Sequence, residues 1–335
     1  MNNLDSILVI ILTYNQEQYI SQTIDSVLRQ NLKIPYKILL VDDCSTDKTS
    51  EICREYEYNN PEIITYLRRN PNLGLVKNLF YAIRDNSCYN YISLCAGDDF
   101  WIDENKLQAQ YDVFLENKNV SVVFTGVRKL YEKTKMHEDV PIWSSPLLHH
   151  QGNSAIQEVL FEKFSSFPVA SSMLFRNYNI GDFLKSIESI YETDNVPGEG
   201  MILLSHLALN GRFYFLPNIT TVYRINEQSV SHTNLISKRL NFDIRYYIHK
   251  IELAEFFNVR YVYKLKLALK LYLLYIYAAQ EGCSDEFLSQ LNNLNLVVTS
   301  KFEEIPLKMI RYTSSHHIIL SLCIRLLKIK NRCIK

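Results

Sequence analysis

Two pairs of adjacent carboxylates stand where apolar runs stop: Asp42-Asp43 in "VDDCSTDKT" (41–49) and Asp98-Asp99 in "CAGDDFW" (95–101). Hard divalent cations want oxygen ligands. Mg2+ often uses one or two carboxylates and completes its shell with water and phosphate oxygens. Asp98-Asp99 is therefore half of a site for Mn2+ or Mg2+ carrying a diphosphate. The alternative is an ordinary solvated turn or helix cap. Asp42-Asp43 suits a different partner, because a carboxylate accepts hydrogen bonds from the imide N–H of uracil or thymine and from ribose hydroxyls. Ser45, Asp47 and Thr49 just beyond are suited to capping a helix. Tyr14 could stack on a base, or be an ordinary core residue among the chain's 23 tyrosines.

The elements that must carry these residues follow from the hydrophobic pattern. "SILVIIL" (6–12), "YKILLVDD" (36–43), "EIITYLRR" (62–69), "YNYISLCAGDD" (89–99) and "VSVVFTGVRKLYE" (120–132) read as strands, the first buried on both faces. Between them lie helical stripes: Ile20, Ile24, Val27 and Leu28, with Asn15 as N-cap; then Val76, Leu79, Phe80 and Ile83; then Leu107, Tyr111, Phe114 and Leu115. Strand and helix alternate about every 30 residues, which argues for right-handed βαβ units in a doubly wound, mostly parallel α/β sheet with helices on both faces. Ligands of such sheets bind beyond the C-terminal strand ends, where Tyr14-Asn15, Asp42-Asp43 and Asp98-Asp99 all fall. From about residue 133 to 200 the pattern loosens into expected loops. "GEGMILLSHLALNGRFYFLP" reads as a helix closed by Gly211 and then a strand, "NITTVYRINEQSVS" as an edge strand and loop, and the remainder beyond about 235 as helical.

Composition narrows the function. Lys plus Arg (36) equals Asp plus Glu (36), so there is no basic excess to track a nucleic acid. Seven cysteines with no CxxC suggest neither a disulfide framework nor a zinc site, and fit a reducing cytosol. The apolar run near Met1 is too short to span a bilayer. No GxGxxG follows the first strand and no GxxxxGK[ST] occurs, so dinucleotide-fold and P-loop readings are disfavoured.

Five blocks, "VIILTYNQEQYISQTIDSVLRQ", "ILLVDDCSTDKTSEI", "NPNLGLVKNLFYAI", "YISLCAGDDFWIDENKLQAQYDVF" and "GRFYFLPNITTVYRINEQSVS", resemble in order the family 2 glycosyltransferases of GT-A fold, in the branch that builds bacterial capsule, O-antigen and other surface polysaccharides. The resemblance implies a GT-A domain over 1–234 and a C-terminal helical region over 235–335. It implies transfer from a nucleotide-sugar donor, most simply a UDP-sugar, to a glycan or polyprenyl-linked acceptor, with inversion. It places Thr13, Tyr14 and Asn15 at the nucleotide, Asp43 on the base with Asp42 beside it, and Lys77 near the diphosphate. Asp98 would face the ribose or the metal shell, and Asp99 would be the direct metal ligand.

Three positions depart from the pattern: Ala96 where an acid is frequent, Gly200 where the general-base aspartate usually stands, and Asn226 where a histidine is common. Glu199 is the substitute base, Asp194 the reserve, and His232 could compensate for Asn226. The departures leave a second reading, a nucleotide-sugar-binding scaffold without turnover. The acid-free basic tail "HHIILSLCIRLLKIKNRCIK" (316–335) suits peripheral contact with an anionic membrane, which would hold the chain at the inner face of the cell membrane; a docked terminal helix is the alternative.

Overall fold

The computed structural model describes residues 5–140, 152–160, 169–191, 199–226, 236–260 and 270–278. The chain divides into two compact units, residues 1–226 and 227–335. In the first, the order is β1 (Ile7–Thr13), α1 (Ile20–Leu28), β2 (Tyr36–Asp42), α2 (Thr49–Asn59), β3 (Ile64–Arg68), α3 (Leu75–Asp85), β4 (Tyr91–Ala96), β5 (Phe100–Trp101), α4 (Lys106–Glu116), β6 (Val120–Tyr131) and β7 (Met136–Asp139). There follow α5 (Asn153–Leu160), a 3-10 turn at Ala170–Ser172, β8 (Met173–Arg176), α6 (Ile180–Ser186), α7 (Glu188–Tyr191), α8 (Glu199–Asn210) and β9 (Arg212–Ile225). In the second unit the described residues are helical over α9 (Ile236–Phe256) and 270–278. Among the described residues no helix is long and apolar enough to cross a membrane. The basic tail and His232 lie outside the described residues.

The described strands form one sheet in the order β3-β2-β1-β4-β8-β6-β9-β5, with β7 paired to β6. β1 to β4 are mutually parallel. β8 runs antiparallel to both β4 and β6, and β6 is parallel to β9. Hence β6 and β9 point the same way as β1 to β4, and their C-terminal ends share one edge. The chain winds from β1 outward to β3 and then crosses back to β4 on the other side of β1. That reversal makes a switch point between β1 and β4, where doubly wound sheets open a crevice. β1 is buried on both sides: Ile7, Val9 and Ile11 share a core with Ile20, Ile24 and Val27 of α1, while α3 packs on the strand as well. Burying an aliphatic side chain of this kind contributes about 1.5–3 kcal/mol.

Four expectations need correction. Leu115 is 48 % exposed, because α4 turns it away while Leu107 and Phe114 fill the core. Asn15 does not cap α1, which starts at Ile20 after Tyr19; its side chain is used elsewhere, as shown below. The strand at the end of the domain is neither split nor at an edge: β9 is one 14-residue strand between β6 and β5. Pro217 interrupts it without ending it, since proline cannot donate to the ladder. The β6–β9 register shifts around Thr125 to Val127. Gly126 sits at this irregularity, where a Cβ would lie 3.1 Å from the Pro217 carbonyl. Finally, β8 in the supposed loop region is a central strand, buried at Met173, Leu174 and Phe175. At four residues it is too short to show an alternation.

Gly211 closes α8 where backbone comes too close for any side chain. A Cβ there would stand 2.7 Å from the Asn119 carbonyl and 2.8 Å from the Ser121 nitrogen. Gly211→Ala should lower stability by about 1–3 kcal/mol, read as a fall in the urea midpoint at unchanged slope; an unchanged midpoint would contradict the packing described.

Candidate active site

Register brings the singled-out residues into one row. Thr13 pairs with Asp42, Leu12 with Ala96, and Asp42 with Arg68. Past the paired residues, the Asp43 N–H donates to the Thr13 carbonyl (2.9 Å) and the Gly97 N–H to the Leu12 carbonyl (2.8 Å). The three strand ends therefore do meet at one edge.

Asp42 is wholly buried and faces inward. It accepts the Ser45 N–H (2.9 Å) and hydroxyl (2.5 Å), the Ser50 hydroxyl (2.5 Å) and the Tyr66 hydroxyl (2.8 Å), with Arg68 Nε at 3.8 Å. Burial pushes its carboxyl up, but these hydrogen bonds prevail and hold it below its ordinary value of 3.8. It braces the loop from within. Asp43 lies next to it. Its two oxygens accept the backbone N–H groups of Leu73 and Gly74, each at 2.8 Å. They tie the β2–α2 loop to the N-terminus of α3, where Gly74 takes φ 80°. A carboxylate offers about four lone-pair sites, so Asp43 keeps acceptor capacity beyond this clamp. Lys77 lies in the first turn of α3, half-buried.

The β1–α1 loop is stitched to the β2–α2 loop. Asn15 has φ 51°. Its N–H donates to the Ser45 hydroxyl (3.0 Å), and its side-chain oxygen accepts the Thr46 N–H (2.8 Å). The Gln16 N–H donates to the Thr49 hydroxyl (2.8 Å), and Asp47 accepts from the Thr49 N–H (2.9 Å) at the head of α2. Thr13 is buried and donates its hydroxyl to Gln16 Oε1 (2.8 Å). Tyr14 is the large aromatic side chain of this stretch that stands out, 47 % exposed, at the end of β1.

The β4–β5 turn carries the second pair. Gly97 allows it to lie against β1, since a Cβ there would be 2.8 Å from Thr13 Oγ1 and 2.9 Å from Thr13 Cβ. The Thr23 hydroxyl of α1 donates to the carbonyls of Gly97 (2.9 Å) and Asp99 (2.6 Å). Asp99 is 1 % exposed. One of its oxygens accepts the Arg224 N–H (3.0 Å), the other the Ser171 hydroxyl (2.5 Å). The Asp99 carboxylate points into the protein and joins the end of β4 to β9 and to the 3-10 turn. Asp98 is only half-buried. Gln16 bonds its carboxylate, and the Asn226 amide reaches it at a long 3.4 Å. Burial pushes the Asp98 carboxyl up, and burial together with the Asp98 charge pushes Asp99 well above the usual carboxylate range.

Among the described residues no three His, Cys, Asp or Glu side chains gather as a metal-ligating set. One half-buried carboxylate beside amide groups still fits a hard cation held jointly with a diphosphate. It does not fit a cation caged by protein alone.

Glu199 is the first residue of α8 and half-buried. Only Gly211 separates α8 from β9, and α8 packs on β6 and β9. Asp194 lies outside the described residues. Sequence reasoning missed Ser171, Gln16, Gly97 and Arg224. Arg224 stands inside the quoted block "VYRIN", two residues before the noticed Asn226; Ser171 carries no signal beyond an unremarkable "ASS".

The sequence model of Glycosyl transferase family 2 matches residues 8–179, just over half of the chain. An uncharacterized Mycobacterium tuberculosis protein, Rv1520, is 26 % identical over 245 residues, 71 % of this chain and 64 % of its own; the chain thus spans less than two thirds of that relative's length. A putative teichuronic acid biosynthesis glycosyltransferase of Bacillus subtilis, TuaG, is 32 % identical over 119 residues, 35 % of this chain and 45 % of its own. Among solved structures, S. aureus TarS 1-349 in complex with UDP superposes with a TM-score of 0.53 at 16 % identity, covering 98 % of this chain and 92 % of that one. That likeness shows a shared fold.

Asp42 gives a stability prediction with a defined pH sense. A carboxyl lowered in the folded state stabilises fully above its unfolded value and loses that contribution as pH falls through the folded value. Asp42→Asn should destabilise at pH 7 by about 2–4 kcal/mol, as expected for a buried, multiply bonded charge. In urea titrations the gap to wild type should shrink once the pH drops below about 4; a gap independent of pH would contradict the role assigned.

Proposed function

Because the chain belongs to glycosyl transferase family 2, we propose that it moves a sugar from a nucleoside-diphosphate sugar, a UDP-sugar in the simplest reading, onto a glycan or lipid-linked acceptor in cell-surface polysaccharide synthesis, with inversion at the anomeric carbon. The observation that carries this is that Tyr14, Asp43 and Asp98 follow the C-terminal ends of the adjacent strands β1, β2 and β4, beside the switch point between β1 and β4. The names of TuaG and of the dTDP-rhamnosyl transferase RfbG of Shigella flexneri, 33 % identical over 108 residues, support a role in surface glycans. The UDP complex of TarS supports the donor class.

In this reading Tyr14 stacks on the base. Asp43 takes the base N–H with its remaining acceptor capacity while holding Leu73 and Gly74. Asp98, and not Asp99, is the carboxylate for Mn2+ or Mg2+, with Gln16 and Asn226 setting its orientation. A divalent ion there would neutralise charge on the leaving diphosphate. Lys77 approaches the diphosphate from α3. Glu199 removes the acceptor proton as the hydroxyl attacks, a role in which one positioned carboxylate contributes about 10²–10⁴ in rate; Asp194 is the reserve. The 226-residue unit would do this work, and the tail would bring it to an anionic membrane.

A second reading has one observation in its favour. With Ala96 at the end of β4 and Asp99 turned inward, the turn offers a single outward carboxylate, which suits a scaffold that holds a nucleotide sugar without transferring it.

Two substitutions separate these roles. Asp98→Asn should weaken Mn2+-dependent UDP binding by at least about tenfold in calorimetry, while Asp99→Asn should chiefly lower thermal stability; undiminished UDP binding by Asp98→Asn would overturn the assignment. Glu199→Gln should retain UDP binding and lose about 10²-fold or more in turnover. A wild-type chain that binds sugar nucleotides yet neither transfers nor hydrolyses them over a panel of acceptors would favour the scaffold.

A further inference from the structure

Arg224 is the most completely engaged charged side chain near the acidic turn, and no role assigned so far uses it. It is 5 % exposed. A buried guanidinium must satisfy five N–H donors or bear a desolvation cost of several kcal/mol. Arg224 places three of these N–H donors on acceptors and packs its plane against two rings. Its Nε donates to Glu132 Oε1 of the β6–β7 turn (3.2 Å), its Nη1 to the carbonyl of Asp98 (3.4 Å), and its Nη2 to Gln22 Oε1 of α1. The guanidinium carbon lies over the rings of Tyr19 (4.8 Å) and Phe100 (4.7 Å). Its backbone N–H meanwhile donates to Asp99 Oδ1. One residue thus holds both aspartates, Asp98 by its carbonyl and Asp99 by its carboxylate.

We propose that Arg224 is a positioning residue for Asp98: it fixes the backbone of the acidic turn from both sides, so that the Asp98 carboxylate is presented at the strand edge before any ligand arrives. This rests on the reading of Asp98 as the carboxylate for the metal–diphosphate. The proposal has a sign that simple electrostatics would reverse. A fixed positive charge beside a cation site repels the cation, so an arginine present only as a counter-charge should hinder metal binding, and its removal should help. An arginine that orders the turn does the opposite. Lysine distinguishes charge from shape, because it keeps the former but lacks the planar fork that reaches Glu132, Asp98 and Gln22 together and stacks on the rings.

The test is Mn2+ titration of the full chain, with and without UDP, by calorimetry, with a thermal melt recorded for each variant. Arg224→Met should weaken Mn2+ binding about tenfold or more, the range typical of lost support to a ligating carboxylate, although a positive charge has been deleted. Arg224→Lys should recover only part of that loss. Gln22→Ala, at an exposed position of α1, should leave the melt near wild type and weaken Mn2+ by about twofold to fourfold, in keeping with the loss of one clamp among several. Mn2+ binding by Arg224→Met as tight as wild type or tighter overturns the proposal. Should Arg224→Met not fold, wild-type Mn2+ affinity in both Arg224→Lys and Gln22→Ala overturns it instead. A wild-type chain that takes up no Mn2+ even with UDP present removes the metal reading itself and this role with it, whereas failure in the variants alone removes only the role of Arg224.

Discussion

A carboxylate inside a sheet domain needs donors close at hand, and Asp99 draws its two from segments far away in sequence: the backbone of Arg224 and the hydroxyl of Ser171. That constraint fixes much else. It ties the end of β4 to the end of β9 and to the turn before β8, and so closes the right half of the sheet onto the left. Trp101 reinforces the closure through its indole N–H on the Ser171 carbonyl (2.9 Å). Beneath it, Gln110 donates to the carbonyls of Val123 (2.7 Å) and Ser172 (2.9 Å) and accepts from Lys106 Nζ (2.8 Å). Lys106 is wholly buried, with no acid bonded to it among the described residues, and burial brings its pKa down to about 7. A buried polar network of this kind is tolerable only because its members are satisfied together.

The same logic divides labour within each acidic pair. Within each pair the two carboxylates find different partners, because the backbone turns between them. Asp99 is the inner member of its pair, and Asp98 the outer one. Asp42 is the inner member of the other pair, and Asp43 sits at the rim clamping Leu73 and Gly74. Four acids that look alike in sequence thus differ in their surroundings: Asp42, Asp43 and Asp99 are buried and bonded within the fold, while Asp98 is half-exposed.

How far the sequence revealed this follows from the range of each interaction. The parallel half was legible: β1, β2, β3 and β4 are apolar runs with amphipathic helices between them, and their strand ends place Tyr14, Asp43 and Asp98 together by topology alone. The second half was not. β8 is too short to show a period, and β9 carries a proline that looks like a break but falls at a register shift. The inward or outward sense of a carboxylate depends on partners some 70 to 125 residues away, Ser171 and Arg224, and no local pattern announces them. Hence the sequence pointed to the acidic turn but not to which of its two aspartates is turned inward. Asn15 failed as a cap for a related reason: in the left-handed region, its side chain bonds the neighbouring loop at Thr46 instead of its own helix.

The division between Asp98 and Asp99 is open to direct observation. Crystals of the full chain grown with UDP and Mn2+, with data collected at the manganese absorption edge, would place the cation by its anomalous signal. The peak should lie at bonding distance from the Asp98 carboxylate and the diphosphate oxygens, with Asp99 still accepting from the Arg224 N–H and the Ser171 hydroxyl. A peak on Asp99, with those two donors released, would contradict the structure of the site described above.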